Sequence, residues 1–420
     1  MQKLKILVMS NVEWSNENAF GNTMSNILNM PEKYDIACLY RRNAQPNNNV
    51  CFKYYQISYT SMLKNIFKKE NIGRYFETYE TKKEKDNFAI KEGKLIRFIH
   101  KWKLTRIVYK AENVLFKSKR WENKRFKQFI KDFNPDILIG FTSSLLMGSL
   151  LAESVKSIAS KCKYVTFITD DLYGANKSKR VRNNIKKQIF LADKIYAISP
   201  TLKDKYEKLY NRPIEILRKG CEITSQISRK NNNPKQIVYA GNLLYGRYKT
   251  LLTLIKEIND LPIEYKSKIF LKIYSPTNID EKMRGNLTKQ GVSCFYGARC
   301  YNEIKGILSQ ADLVLHVESY DKKQQEIVKH SFSTKITDCI QSGAIPFIIG
   351  PNGITSVEMA KEIPGAIVVN EISKLKDILL YIIDKDLYDL AIQTREYAVD
   401  NYEINATRKK LFDELNTMCE

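Results

Sequence analysis

The sequence predicts an α/β protein built from two doubly wound domains, and three observations predict it. The chain has 420 residues, more than one hydrophobic core usually organises. Short apolar, β-branched runs recur between longer stretches of helical periodicity, the pattern of buried parallel strands alternating with helices. That pattern stops at a polar stretch, 224–235 (TSQISRKNNNPK), and restarts beyond it.

The strand-like runs before the polar stretch are 5–9, 34–39, 136–140, 164–168 and 194–198. Those after it are 236–240, 268–274, 313–317, 345–349 and 366–369. Beyond 372 the pattern is helical, clearest over 388–402 and 406–418. The expected organisation is an N-terminal domain over 1–222, a C-terminal domain over 223–390, and helices over 391–420 that pack back on the N-terminal domain. Doubly wound sheets bind ligands beyond the carboxyl ends of their strands, so the active site is expected in a central cleft between the two domains.

Composition narrows the class. A hydrophobic share of 43% and a charged share of 27% are ordinary for a soluble globular protein and exclude a disordered or fibrous chain. The eight cysteines form no CxxC pair and only three histidines accompany them, so no metal site is readable. The apolar run 6–9 is too short for a signal peptide, which leads us to expect reduced thiols and a cytoplasmic protein. The longest apolar stretch, 141–152 (FTSSLLMGSLLA), falls short of the ~20 residues that span a bilayer.

The formal net charge of +23 is unevenly spread. Residues 91–131 hold fourteen Lys and Arg against three Glu, and Leu95, Phe98, Ile99 and Trp102 recur there at helical spacing. This is the pattern of a basic amphipathic helix lying on an anionic membrane, where each basic residue contributes about 1 kcal/mol. The alternative is a solvated helix whose apolar stripe faces its own core. The segment carries no recognisable nucleic-acid-binding motif, so no nucleic-acid partner is expected.

The most informative stretch is 330–346, HSFSTKITDCIQSGAIP. Its spacing predicts a helix with Lys335 and Asp338 three apart on one face, ending at Gly343. A carboxylate can accept both hydroxyls of a ribose while a lysine and a helix N-terminus stabilise phosphate, a set that suits a nucleoside diphosphate. The alternative is a surface ion pair at i,i+3.

This stretch resembles the retaining glycosyltransferases of the GT-B fold, in particular the large family 4 group. There an acidic residue sits five before a glycine with proline soon after, and Asp338, Gly343 and Pro346 match that spacing. The family commonly has Glu, seven residues, Glu; this chain has His330 at the first position and Asp338 at the second. Ser333, Thr334 and Lys335 resemble a variant in which such a triplet precedes the acidic residue. The resemblance implies ribose binding by Asp338, with Ser333, Thr334, Lys335 and His330 around the donor.

Further stretches fit the same family in the same order. Residues 192–206 (ADKIYAISPTLKDKY) look like the strand and helix that end its N-terminal domain. Residues 239–252 (YAGNLLYGRYKTLL) resemble the first strand and glycine loop of its C-terminal domain. That likeness implies a donor loop at Gly241 and Asn242, and catalytic cations at Arg247 and Lys249 against the donor diphosphate. Asn242 stands where the family often has Arg, and two cations solvating a helix start are the alternative reading. Residues 292–320, with Tyr296, Gly297, Glu303, Ala311 and Asp312, resemble the strand, helix and strand that precede the acidic motif.

The N-terminal half matches more thinly. Gly21 and Asn22 follow the first strand, where relatives place a loop near the donor phosphates and acceptor; a lone glycine otherwise marks only a turn. Asp170 follows the run 164–169, at a strand's carboxyl end, where a carboxylate can orient an acceptor hydroxyl. A helix cap or turn is the alternative there.

What the resemblance implies is transfer of a sugar from a nucleoside-diphosphate sugar to a saccharide acceptor with retention of configuration. It requires no enzymic nucleophile, no bound metal and no other cofactor. Taken with the basic segment, it implies a lipid-linked acceptor used in surface polysaccharide assembly at the inner face of a membrane. A catalytically idle protein of the same fold, a sugar-nucleotide epimerase and a basic nucleic-acid-binding protein are the rival readings.

Overall fold

The computed structural model describes residues 3–58, 61–62, 65, 68–78, 114–175, 178–223, 232–330 and 333–420. The chain divides into two compact units, Met1–Leu217 with Arg408–Glu420, and Arg218–Thr407. The helices beyond 390 are thus shared out: Tyr388–Tyr402 belongs to the second unit and Arg408–Glu420 to the first.

The first unit is organised by an eight-stranded sheet of β1 (Leu4–Ser10), β2 (Tyr34–Tyr40), β3 (Lys53–Gln56), β4 (Arg74–Glu77), β5 (Ile137–Phe141), β6 (Lys163–Ile168), β7 (Lys194–Ala197) and β8 (Glu215–Ile216). The order is β4-β3-β2-β1-β5-β6-β7-β8. Every pairing is parallel except β3 with β4, as where Ile6 lies opposite Ile36 on one side and Ile137 on the other. Side chains alternate across a strand, so β1 buries Leu7 and Met9 in one core and Ile6 and Val8 in another. Burial on both faces is why its sequence reads as a continuous apolar run. Among the helices on these faces are α1 (Ala19–Leu28), α2 (Lys124–Phe133), α3 (Met147–Ile158), α4 (Lys179–Leu191) and α5 (Pro200–Tyr210).

Helix α2 decides between two expectations for the end of the basic segment. Asn123 caps it, accepting from Phe126 N at 3.0 Å, and Asn134 closes it in the left-handed conformation. Its apolar stripe of Phe126, Phe129, Ile130 and Phe133 is buried in the unit's own core beside Trp121 and Phe116. Over 114–131, therefore, the apolar face is internal and the cations form the solvated side, so this part offers no membrane-facing stripe. The positions Leu95, Phe98, Ile99 and Trp102 lie outside the described residues.

The second unit carries a six-stranded, wholly parallel sheet of β9 (Lys235–Ala240), β10 (Ile269–Tyr274), β11 (Ser293–Gly297), β12 (Leu313–Val317), β13 (Ile345–Ile349) and β14 (Ile367–Val369). The order is β11-β10-β9-β12-β13-β14. Going outward from β9 the chain first builds β10 and β11 on one side, then crosses back to lay β12 on the other. That reversal opens a crevice at the carboxyl ends of β9 and β12. Helices α6 (Arg247–Asn259), α7 (Tyr301–Gln310), α8 (Thr334–Gln341), α9 (Leu375–Asp384) and α10 (Tyr388–Tyr402) include those that cover the sheet, while α11 (Ile404–Thr417) begins in this unit and continues into the first. The core joins Tyr239, Leu271, Leu315 and Phe347 of the sheet to Leu251, Leu254 and Ile258 of α6. Each such side chain contributes about 1.5–3 kcal/mol on burial. Among the described residues no helix is long and apolar enough to cross a membrane.

Candidate functional site

Polar chemistry concentrates where the sheet of the second unit reverses direction. Strand β9 ends at Ala240, and the loop 241–246 turns the chain into α6 through two successive left-handed residues, Tyr245 (φ 56°) and Gly246 (φ 75°). Strand β12 ends at Val317 with His316 inside it and Glu318 just past it. Residues two apart on an extended chain share a face, so both side chains point to the same side. Helix α6 starts with Arg247 on that side, and α8 carries Lys335 and Asp338.

Arg247 is only 8% exposed. Its Nη2 donates to Glu318 Oε1 at 3.0 Å and its Nε to Glu318 Oε2 at 3.3 Å, a two-pronged pair. Its Nη1 donates to Asn242 Oδ1 at 3.1 Å. Asn242 is pinned twice more, accepting Leu244 N on its side chain at 3.2 Å and the Tyr239 hydroxyl on its carbonyl. Asn242 therefore holds the guanidinium that arrives from five residues later. The Arg expected as a phosphate contact is committed within the protein, where it fastens the loop to β12.

The electrostatics of the pair follow from its burial. Burial works against the charge on Glu318, but the hydrogen bond from His316 and the Arg247 guanidinium outweigh it and hold the carboxyl at about 2. Burial likewise opposes the Arg247 charge, and Glu318 more than compensates, so its pKa is raised. His316 is pushed below the usual imidazole range, first by burial, so it is neutral at pH 7 and its Nε2–H donates to Glu318 Oε1 at 2.9 Å.

Lys335 is the member without a counterpart. Its Nζ is buried and has no hydrogen-bond partner among the described residues. It lies 5.6 Å from the centre of the Tyr239 ring and directly against Gly241, where an added Cβ would stand 1.9 Å from the nitrogen. Any side chain at 241 would expel the amine, which is the physical reason for glycine there. Burial, reinforced by the charge of Arg247, lowers the Lys335 pKa to about 8. The charges of Glu318 and Asp338 offset this burial only in part, and a buried ammonium that no described residue hydrogen-bonds is costly by itself and favourable once an anion arrives.

Asp338, one turn along α8, forms no surface pair with Lys335. Its Oδ1 accepts from Lys219 Nζ at 2.6 Å, and the Lys219 side chain is 3% exposed while that of Asp338 is 32% exposed. The buried lysine thus orients the carboxylate and leaves the other oxygen accessible. Burial opposes the Lys219 charge, but Asp338 and its hydrogen bond raise the pKa overall.

The remaining expected residues fall in three groups. Ser333 precedes α8, its N–H donating to Ser356 Oγ at 2.9 Å, and Thr334 opens the helix. His330 sits half-buried in the turn after a short helix, Lys322–Val328. Lys249 is exposed on α6, two residues from buried Arg247, and residues two apart on a helix do not face each other. The two cations expected to act together are therefore separated by the helix itself.

In the first unit, Gly21 lies against Ser15, whose carbonyl oxygen would be 2.2 Å from any Cβ, and its N–H is held by the capping Asn18 at 2.8 Å. Asn22 follows within the same helix, its N–H donating to Asn18 O at 3.0 Å. Packing fully accounts for that glycine. Asp170 is exposed at the carboxyl end of β6, whereas its neighbour Asp171 is engaged by Lys205 Nζ at 2.6 Å and caps Gly174 N at 3.0 Å.

Glu318, His316 and Lys219 are the members that the motif reasoning missed. LVLHVES reads as an ordinary buried strand, yet a carboxylate directly beyond an apolar run was the signal that drew attention to Asp170, and it applied equally to Glu318.

No known family model matches the chain, and no curated protein matches it in sequence. Solved structures do match. HepE of Anabaena in complex with UDP-glucose superposes with a TM-score of 0.62 at 11% identity, over 99% of this chain and 100% of that one. An E. coli trehalose-6-phosphate structure bound with UDP-2-fluoro glucose gives 0.60 at 11% identity, over 98% of each chain. A glycosyltransferase from Rickettsia africae gives 0.60 at 12% identity, over the whole of both chains. What these likenesses establish is architecture: the chain has the GT-B fold, two Rossmann-like units, one on a wholly parallel sheet and the other on a sheet parallel but for its β3–β4 pair.

Proposed function

We propose that the chain is a glycosyltransferase whose second unit binds the nucleoside diphosphate of a sugar nucleotide at the carboxyl ends of β9 and β12. The observation that carries the reading is Lys335, a buried amine with no hydrogen-bond partner among the described residues, set against a glycine in the crevice where such sheets take their ligands. A donor phosphate supplies the missing anion. The accessible oxygen of Asp338 accepts from the ribose hydroxyls, its orientation held by Lys219. Arg247, Glu318 and Asn242 fix the loop that shapes this place.

In this reading an acceptor hydroxyl bonds to the anomeric carbon as the bond from that carbon to the distal phosphate oxygen breaks. The proton passes to the departing phosphate. Lys335 stabilises the charge that develops there, so the chain's own cations serve without a bound metal. The solved neighbours that hold UDP-glucose and UDP-2-fluoro glucose support a sugar nucleotide as donor. The finer reading extends to retention of configuration and to a lipid-linked saccharide acceptor in surface polysaccharide assembly on the cytoplasmic membrane face. It is supported by the motif resemblance and by the basic excess over 91–131.

Calorimetric titration with UDP, GDP, CMP and their sugar conjugates, with and without EDTA, tests it. One selective, EDTA-insensitive binder is expected, and Asp338→Ala should weaken it by about 1.5–3 kcal/mol, the range for hydrogen bonds to a charged group. Absence of binding to every nucleotide defeats the proposal.

A further inference from the structure

The first unit holds a second concentration of positive charge, away from any strand end. Helix α4 and the last turn of α5 border a cavity of about 600 Å³ whose lining includes Lys179, Arg182, Lys186 and Lys208 and, among the described residues, no carboxylate. Among the described residues Lys179, Lys186 and Lys208 form no ion pair. The adjacent Lys187, on another face of α4, pairs with Glu153 at 2.5 Å. Helix α4 itself carries Lys179, Arg180, Arg182, Lys186 and Lys187 and no carboxylate, so the cations on the cavity side have no counter-charge from their own helix.

Aromatic rings stand among the cations. Tyr210 meets Tyr173 and Phe190 edge-on, each at 6.2 Å between ring centres. The Arg182 guanidinium lies 4.4 Å over the Tyr173 ring, and Lys186 lies 5.6 Å from the centre of Phe190. Yet Phe190 is 51% exposed and Leu209 38% exposed beside the same opening. Cations with apolar side chains exposed among them are the composition of a face that meets a membrane surface.

We propose that this face is a seat for the anionic lipid headgroups of a membrane surface. A free phosphate or polyphosphate would answer the cations but leave Phe190 and Leu209 wet. An anionic bilayer answers both, with headgroup phosphates entering the cavity and the two apolar side chains passing into the acyl boundary. The proposal is independent of the donor site, which uses other residues in the other unit.

The test is co-sedimentation of the full chain with vesicles of phosphatidylglycerol and phosphatidylcholine, and with phosphatidylcholine alone. Binding should require the anionic lipid. Reversal of three charges, Lys179→Glu with Lys186→Glu and Lys208→Glu, should lower the partition coefficient by at least about tenfold. Phe190→Ser should lower it several-fold with charge unchanged. The charge-matched control Lys256→Glu with Lys289→Glu and Lys376→Glu, at exposed positions of the second unit, should change it by less than about twofold when the cavity face, and not net charge, carries the binding. Nucleotide affinity should be unaltered in all three, which also reports that each variant is folded. Equal loss in the control, or full retention by both the cavity triple and Phe190→Ser, overturns the proposal. So does displacement of the protein from vesicles by inorganic pyrophosphate with no effect of Phe190→Ser, which would mark the cavity as a soluble-phosphate site.

Discussion

The two units reverse their sheets in the same way and furnish the resulting crevices with opposite chemistry. In the first unit the carboxyl ends of β1 and β5 lead into Ser10, Asn11, Thr142 and Ser143. This region is held by neutral amides: Gln188 exchanges hydrogen bonds with Ser143 at 2.8 and 3.1 Å, and Asn184 donates to Ser143 O and Leu145 O. In the second unit the corresponding ends of β9 and β12 carry Arg247, Glu318, His316 and Lys335, buried and charged or poised to be. Topology supplies a crevice in both cases, and among the described residues the second is where a buried amine, Lys335, lacks a hydrogen-bond partner. The fold alone therefore does not distinguish the two crevices; the residues that furnish them do.

The contrast should be most visible in stability. Glu318→Ala leaves Arg247 charged, buried and unpaired, and should lower the unfolding free energy by about 3–5 kcal/mol in a denaturant titration. Survival with wild-type stability would mean that the pair is no keystone.

A smaller and two-sided effect is expected at Lys335. Lys335→Met should weaken nucleotide binding by about ten- to a hundredfold while raising the melting temperature of the unliganded protein, because it removes a buried charge that awaits a ligand. The pH dependence follows from the lowered pKa. The folded protein holds this proton less tightly than the unfolded chain, so its stability penalty is full below pH 8 and is relieved as pH rises from about 8 toward the ordinary lysine value. Nucleotide affinity should run the other way and fall as pH passes about 8, since only the ammonium attracts phosphate. Calorimetry across that range should show the fall in wild type and a flat profile in Lys335→Met.

The mildest change belongs to the first unit. Gln188→Met, which removes neutral hydrogen bonds at an uncharged crevice, should cost about 1–2 kcal/mol without pH dependence and leave nucleotide affinity unchanged. Loss of nucleotide binding in this variant would erase the distinction between the crevices.

How much of this was legible beforehand varied with the kind of signal. The runs 5–9, 313–317 and 345–349 became β1, β12 and β13 because strands buried on both faces must be apolar throughout. Strands β3 (KYYQ) and β4 (RYFE) went unread, since four residues carry too little periodicity. In the site, Asp338 and Lys335 were readable from spacing to Gly343. The partner of Asp338 was not, because Lys219 is 119 residues distant and only folding brings it there. Arg247 was singled out as a phosphate contact, and its pairing with Glu318 was not foreseen, since sequence reveals a cation but not which carboxylate folding brings to it.

One consequence lies in how the molecule is made. Leu411 and Leu415 fill the first unit's core beside Trp14, Ile6 and Val8, yet the whole of Arg218–Thr407 is translated before them. A nascent first unit therefore leaves the ribosome with an open apolar face, and that face stays exposed throughout synthesis of the second. Its folding is completed only late, and a premature stop anywhere in the second unit also damages the first.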